Sequence, residues 1–311
     1  MIVDGATRLR TIVRDNVTAV MSAVAVVAAI ELLNRRIDFI QLERAVFSMA
    51  ALGLLTTALS IFLAFRVNEA YARWWEARIL WGGVVNASRT FARQATTLIG
   101  EPESGISGPD SSSLARELVY RHVAYINALR LHLRRQSNDT ELASLLSSRE
   151  LDGLSNAKNR PTQILQTQGV RIAELRRDGR LDGFAHLMLD GTLSELCNLQ
   201  GGCERIKNTV FPDRVAFFTR VVAWAMAVLI PVCIIEADNS LDAIDFVILP
   251  AMMLLFIVTE RLGAELKTPF ENRANDTPMS ALCRSIEIDL RQQLRETEVP
   301  EPLLPQAGVL L

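Results

Sequence analysis

Four stretches of this chain, residues 17–33, 45–65, 215–235 and 246–259, are almost wholly apolar, while the remainder is polar with apolar residues recurring every three or four positions. The second stretch carries no charge from Ala45 to Phe65. A run of about twenty apolar residues crosses the roughly 30 Å hydrocarbon layer as a helix. It is followed at once by FRVNEAYARWWEARILWG, residues 65–82. This mix of Arg66, Glu69, Arg73, Glu76 and Arg78 with Trp74, Trp75 and Trp81 suits the place where a helix leaves lipid for water. Arg220 lies near one end of the third stretch and can snorkel to headgroups, and the fourth is short and contains Pro250. Taken alone, these two are also compatible with buried helices of a soluble core. The first stretch follows Arg8, Arg10 and Arg14 and resembles a secretory signal, with Ala23 and Ala25 mimicking a cleavage site. It nevertheless runs on to Leu33 and is followed directly by the second, which predicts an uncleaved first helix.

Arginines and lysines set the orientation of such a chain. They gather at the N-terminus, after the second span and after the fourth (Arg261, Lys267), whereas the loop between spans three and four holds Glu236, Asp238, Asp242 and Asp245 and no base. Both termini and the large middle segment are therefore expected in the cytoplasm of a cell whose inner membrane the chain spans four times. Arg35, Arg36 and Arg44 run against this assignment. From Gly100 to Pro212 the spacing predicts helices: one capped by Ser113 through Leu118, Ile126 and Leu133, one opening at Pro161, and one from about Leu181 towards Gly201-Gly202. A last helix opens at Thr277-Pro278 and turns Leu282, Ile286 and Leu290 inward. The predicted organisation is 1–99 for spans one and two with the inner-mouth helix, 100–213 for a helical cytoplasmic region, 214–266 for spans three and four, 267–296 for a C-terminal helix and 297–311 for a flexible tail. The fold class is all-α and polytopic.

Composition narrows the chemistry. Half the residues are hydrophobic and the formal net charge is −2, with a mean hydropathy of +0.20. No basic tract interleaved with aromatics points to nucleic acid. Cys197, Cys203, Cys233 and Cys283 lack zinc or redox spacing and read as packing residues. His122, His132 and His186 form no metalloprotease or nucleophile motif. No enzyme, cofactor or metal is expected.

Phe62-Leu63-Ala64-Phe65-Arg66 with Asn68, Tyr71-Ala72-Arg73-Trp74-Trp75-Glu76-Ala77-Arg78, Leu80-Trp81-Gly82, Gly201-Gly202-Cys203-Glu204-Arg205, Pro269-Phe270-Glu271 and Ala274-Asn275-Asp276-Thr277-Pro278 together resemble the bestrophins of bacteria. The resemblance runs from the first span to about Leu294. It implies a homopentamer around one axis, with the second span lining a narrow neck and the cytoplasmic helices a wider vestibule. Animal members conduct mainly anions, and at least some bacterial members favour monovalent cations. Neck positions fall on Thr57, Ile61 and Phe65, whose spacing of four places them on one helix face in any case. Similarity around GRLDGF places a cytoplasmic constriction at Phe184. The chain departs from the family at Thr57, where the neck tends to be aliphatic, and at Glu69, where relatives carry small neutral residues. It also departs at Glu271 to Asp276, where animal members bind calcium through a run of acids and this chain inserts Arg273. Calcium gating is not expected.

Each of these residues has a plainer reading. Thr57, Ile61 and Phe65 fit ordinary helix packing in a membrane bundle. Glu69 either forms a ring of carboxylates at the inner mouth or pairs with Arg73 one turn on. The acids at 236–245 either draw cations or are simply solvated, and the tryptophans read as interfacial anchors and subunit packing. Phe184 rests on the resemblance alone. The resulting expectation is a passive pentameric channel for monovalent ions in a lipid bilayer, with cations of the sodium type slightly favoured over chloride. The alternatives are a chloride channel of the same family and a membrane-anchored scaffold without ion flux.

Overall fold

A computed structural model of the chain describes residues 17–36, 49–100, 110–209, 217–226, 229–230, 245–306 and 308–310. These are helical almost throughout, and the one β-type contact among them is a bridge between Gln306 and Val309. In chain order the helices are α1 (Val17–Arg36), α2 (Met49–Leu98), α3 (Ser111–Arg134), α4 (Asp139–Ala143), α5 (Ser148–Leu154), α6 (Arg160–Arg177), α7 (Gly183–Asn208), α8 (Phe217–Met226), α9 (Asp245–Leu266) and α10 (Met279–Gln293). They divide into an apolar unit, Asp4–Trp74 with Val210–Thr268, and a polar body, Trp75–Thr209 with Pro269–Leu311, and α2 contributes to both.

In the apolar unit α1 packs on α9. Ala23, Val27, Leu59, Leu63, Ala223, Met226, Ile230, Leu249, Met253 and Phe256 form its core. The stretch expected at 246–259 proves longer, because α9 passes through Pro250 and continues to Leu266. Within it Val247–Leu266 has a mean hydropathy of 1.8 and is by itself long enough to cross a bilayer. The first expected span coincides with α1 and the second is helical from Met49; residues 45–48 and most of 227–244, including Glu236, Asp238 and Asp242, lie outside the described residues.

The body is built around α3, which α6, α7 and α10 cover. Its cap is Asp110 and not Ser113: the Asp110 carboxylate accepts the Ser113 N–H at 2.8 Å and the Ser112 hydroxyl at 2.9 Å. A carboxylate also suits the positive helix end better than a hydroxyl does, and the bond from Ser113 holds its pKa below the usual carboxylate range. Pro161 sits in the first turn of α6 behind the Asn159 cap, as its chemistry requires. Gly201-Gly202 do not end α7, which runs on to Asn208. A Cβ at Gly202 would come within 2.8 Å of Leu80 Cδ2 and one at Gly83 within 2.6 Å of Leu199 Cδ2. These glycines serve close approach of α2 and α7. Pro278 occupies the cap position of α10 without a side-chain bond. The short α4 and α5 go unread by periodicity, although Ser147 and Glu150 form a capping box. Beyond α10, Arg291 Nη2 donates to the Glu298 carbonyl at 2.9 Å.

Around Arg121 charge is buried in paired form. Arg121 donates to Glu150 at 2.5 Å, Glu117 at 2.8 Å and Gln168 at 3.1 Å, and Arg171 donates to Glu117 at 2.9 Å. Burial alone would raise the Glu117 pKa, but the bonds from Arg171 and Arg121 outweigh it and hold it down. Trp81 is fully buried here, a core residue of the body and not an interfacial anchor, whereas Trp75 is exposed. Cys203 and Cys283 are buried packing residues and burial pushes their thiols up to about 12; Cys197, by contrast, is exposed.

His122 lies fully inside, its ring between Phe91 at 5.0 Å and Tyr125 at 5.4 Å. Ser88 gives its hydroxyl proton to the Val84 carbonyl at 2.6 Å, so the 2.8 Å contact to His122 is a donation from Nε2–H. Burial lowers its pKa from 6.5 to about 3. The folded state thus binds the proton less readily than the unfolded chain, and its stability falls as pH drops from 6.5 towards 3. Expected in unfolding measurements is a steeper loss between pH 7 and 4.5 for the wild type than for His122→Leu, the slopes differing by at most about 1.4 kcal/mol per pH unit. Parallel losses would show that His122 is not an acid-labile element.

Candidate functional site on helix α2

In the apolar unit α2 buries Leu59, Leu63, Arg66 and Ala70, which at about 100° per residue fall in one sector. The opposite side carries Thr57, Ile61 and Phe65, all exposed, with Ile61 at 52% and Phe65 at 66%. Glu69 continues the row and is likewise exposed. Thr57 gives its hydroxyl proton to the Gly53 carbonyl at 2.8 Å, so it offers lone pairs but no proton to anything on that side. The four expected residues therefore share one helix, at successive turns. Phe184 stands apart on α7 in the body, where it is 82% exposed, with Leu187 and Met188 exposed beside it. Its helix is fixed against α2 by Thr192, which donates to Gln94 at 2.9 Å, and by Gln94, which donates to the Met188 carbonyl at 3.4 Å.

The buried side of α2 holds a cluster that sequence reasoning missed. Arg66 Nη1 and Arg220 Nε both donate to Glu260 Oε1, at 3.0 and 3.3 Å. The Arg66 and Glu260 side chains are nearly inaccessible, while that of Arg220 is 56% exposed. Arg220 is thus tied to a carboxylate on α9, not simply extended towards headgroups, and Arg66 is turned inward. The available signal was the presence of Arg220 and Glu260 at the edges of apolar runs, where an unpaired charge is costly.

In the body the scattered motifs meet. Arg205 pairs with Glu76 at 2.5 Å, Leu80 fills the space above Gly202, and Lys207 pairs with Glu271 at 2.8 Å. The loop after Pro269-Phe270 is held from within: Asp276 accepts the Arg273 N–H at 3.1 Å and the Thr277 N–H donates to the Pro269 carbonyl at 3.0 Å. Burial raises the Asp276 pKa in spite of its backbone bonds. Among the described residues no group of three or more histidines, cysteines or acids is arranged to hold a metal ion.

The described residues thus form an almost wholly helical structure with an apolar unit, a polar body and an apolar helix face left open. A sequence model of the bacterial and fungal bestrophin proteins matches residues 2–292, and the chain belongs to the bestrophin family. It is 32% identical over 259 residues to the voltage-dependent anion channel-forming protein YneE of Escherichia coli K12, covering 83% of this chain and 81% of that one. A voltage-dependent anion channel-forming protein of Mesorhizobium japonicum is 31% identical over 265 residues, 85% of this chain and 81% of the relative. The crystal structure of a bacterial bestrophin homologue from Klebsiella pneumoniae superposes with a TM-score of 0.81 at 26% identity, covering 91% of this chain and 99% of the other. The chain is an integral membrane protein of an ion-channel family, and its relatives are channels and not enzymes.

Removing the shared carboxylate strands the buried Arg66 and frees the half-exposed Arg220. Glu260→Ala is expected to cost about 3–5 kcal/mol of stability, whereas Arg220→Ala, at a half-exposed site, costs about 1 kcal/mol or less. Thermal unfolding in detergent measures both, and equal small effects would mean that the cluster does not hold the unit together.

Proposed function

We propose that five copies of this chain assemble in the inner membrane, each spanning it four times with both termini cytoplasmic. The second spans line a central neck through Thr57, Ile61 and Phe65, with Phe184 forming a second constriction in the cytoplasmic body. The assembly conducts monovalent ions passively and requires no cofactor. An apolar ring of Ile61 and Phe65 closes by size and by loss of water, not by charge. Calcium is not the gating signal, since Glu271 is engaged by Lys207 and Asp276 by backbone N–H groups.

The observation that carries this reading is the open side of α2: large apolar side chains are exposed at successive turns of a helix whose opposite side is fully packed. The same face supports a preference for cations. Arg66 is buried against Glu260, while Glu69 is exposed one turn beyond Phe65, and a ring of carboxylates concentrates cations. A second reading, an anion channel, is favoured by the printed names of the Escherichia coli and Mesorhizobium relatives.

Purified protein in liposomes under a sodium chloride gradient tests both readings. Phe65→Ala or Ile61→Ala is expected to raise the ion flux, and unchanged flux in both would remove these residues from the neck. The reversal potential is expected near that of sodium, and Glu69→Gln moves it towards chloride. A wild-type potential already at chloride gives the function to the second reading. Silence in a folded, inserted protein points to a scaffold.

A further inference from the structure

Where α3 ends, the body carries a half-open surface pocket of about 290 Å³ whose wall includes the buried Leu131, the partly buried His132 and Arg160, and the exposed Arg135, Ser137 and Lys158. Two of its four bases are engaged: Arg160 pairs with Asp139, and His132 lies 3.7 Å from Glu204. Arg135 and Lys158 have no ion-pair partner among the described residues. Arg135 is also unusual in its backbone. It closes α3 in the left-handed region, φ 54°, with its N–H on the His132 and Leu131 carbonyls. Glycine is the ordinary residue at such a terminus, because a side chain there is strained. Here the strained position carries a guanidinium at the edge of a pocket. Leu131 and Leu142 on the same wall are buried, and an apolar wall strengthens the field of the charges beside it.

We propose that this pocket is a binding site for a small phosphorylated anion, inorganic phosphate or a soluble phosphate monoester. Arg135 supplies a planar fork that matches phosphate oxygens and Lys158 a compact positive charge, the two modes by which proteins hold phosphate. Ser137 adds a hydroxyl. The volume lies near the lower end of the roughly 300–1,000 Å³ of ligand pockets, which suits a monoester. The site does not depend on the channel reading, since binding is measured without ion flux.

Isothermal titration of full-length protein in dodecyl maltoside, a phosphate-free detergent, with inorganic phosphate at constant ionic strength tests the site. Saturable binding at about one phosphate per chain is expected, weakened about tenfold or more by Lys158→Met and by Arg135→Gly, the loss expected for one charged hydrogen bond. Arg135→Gly also relieves the left-handed strain, so its thermal midpoint stays equal or rises while its affinity falls. A purely structural Arg135 would not produce that split. Arg93→Gln, in a separate basic cavity with Arg89 and Thr90, leaves phosphate binding unchanged. The proposal is overturned by no saturable binding below about 10 mM, by full retention in both site variants, or by an equal loss in Arg93→Gln. Short-chain phosphatidic acid binding more tightly than glycerol phosphate would overturn the soluble ligand in favour of a lipid headgroup.

Discussion

The fold depends on how α2 divides its surface between a packed side and an open one; α3, by contrast, is buried all round from Arg121 to Leu131. Helix α2 is 50 residues long; in the apolar unit it buries a stripe of Leu59, Leu63, Arg66 and Ala70, and in the body a wider sector that takes in Ala77, Trp81, Val84, Ala87, Ser88, Phe91, Ala92, Gln94 and Ala95. Small residues recur along it because neighbouring helices come close. What is left over in the apolar unit is a row of exposed side chains, and that row is where the candidate site lies. Site and core are two faces of one element, so packing on one side fixes the direction of the other.

Much of this was legible in the residues. The charge-free run to Phe65 gives the start of α2, the spacing of Leu118, Ile126 and Leu133 gives α3, and Pro161 opens α6. The candidate neck residues Thr57, Ile61 and Phe65 are visible as a row at intervals of four. Other features were hidden for definite reasons. Asp110 outcompetes Ser113 as a cap because a carboxylate accepts more strongly than a hydroxyl, and sequence spacing does not rank the two. Helices of five and seven residues complete too few turns to show a period. Gly202 reads as a stop signal because its use, admitting Leu80, belongs to another helix. Trp81 follows Trp74 and Trp75 in a stretch that suggests an interface, yet the phase of the helix carries it into the core.

The charge cluster of Arg66, Arg220 and Glu260 shows the same limit in electrostatic form. Each residue alone has a plausible surface role at the end of an apolar run. Only three-dimensional proximity reveals that one carboxylate serves two guanidiniums, and that Arg66, next to Phe65, is thereby turned away from the exposed face. Charge at this level of α2 is governed by long-range pairing and not by local sequence.

The contact between α2 and α7 carries a mechanical consequence. Leu80 meets Gly202, Gly83 meets Leu199, and Gln94 meets Met188 and Thr192. The numbers fall on one helix as they rise on the other, so the helices are antiparallel and held in a single register. A slip of one residue, about 1.5 Å along the axis, would push both leucines towards backbone at once and draw Gln94 off its partners. The pair is therefore stiff against sliding, and a displacement of this part of α2 along its axis carries α7, with Phe184 near its start, along as one lever.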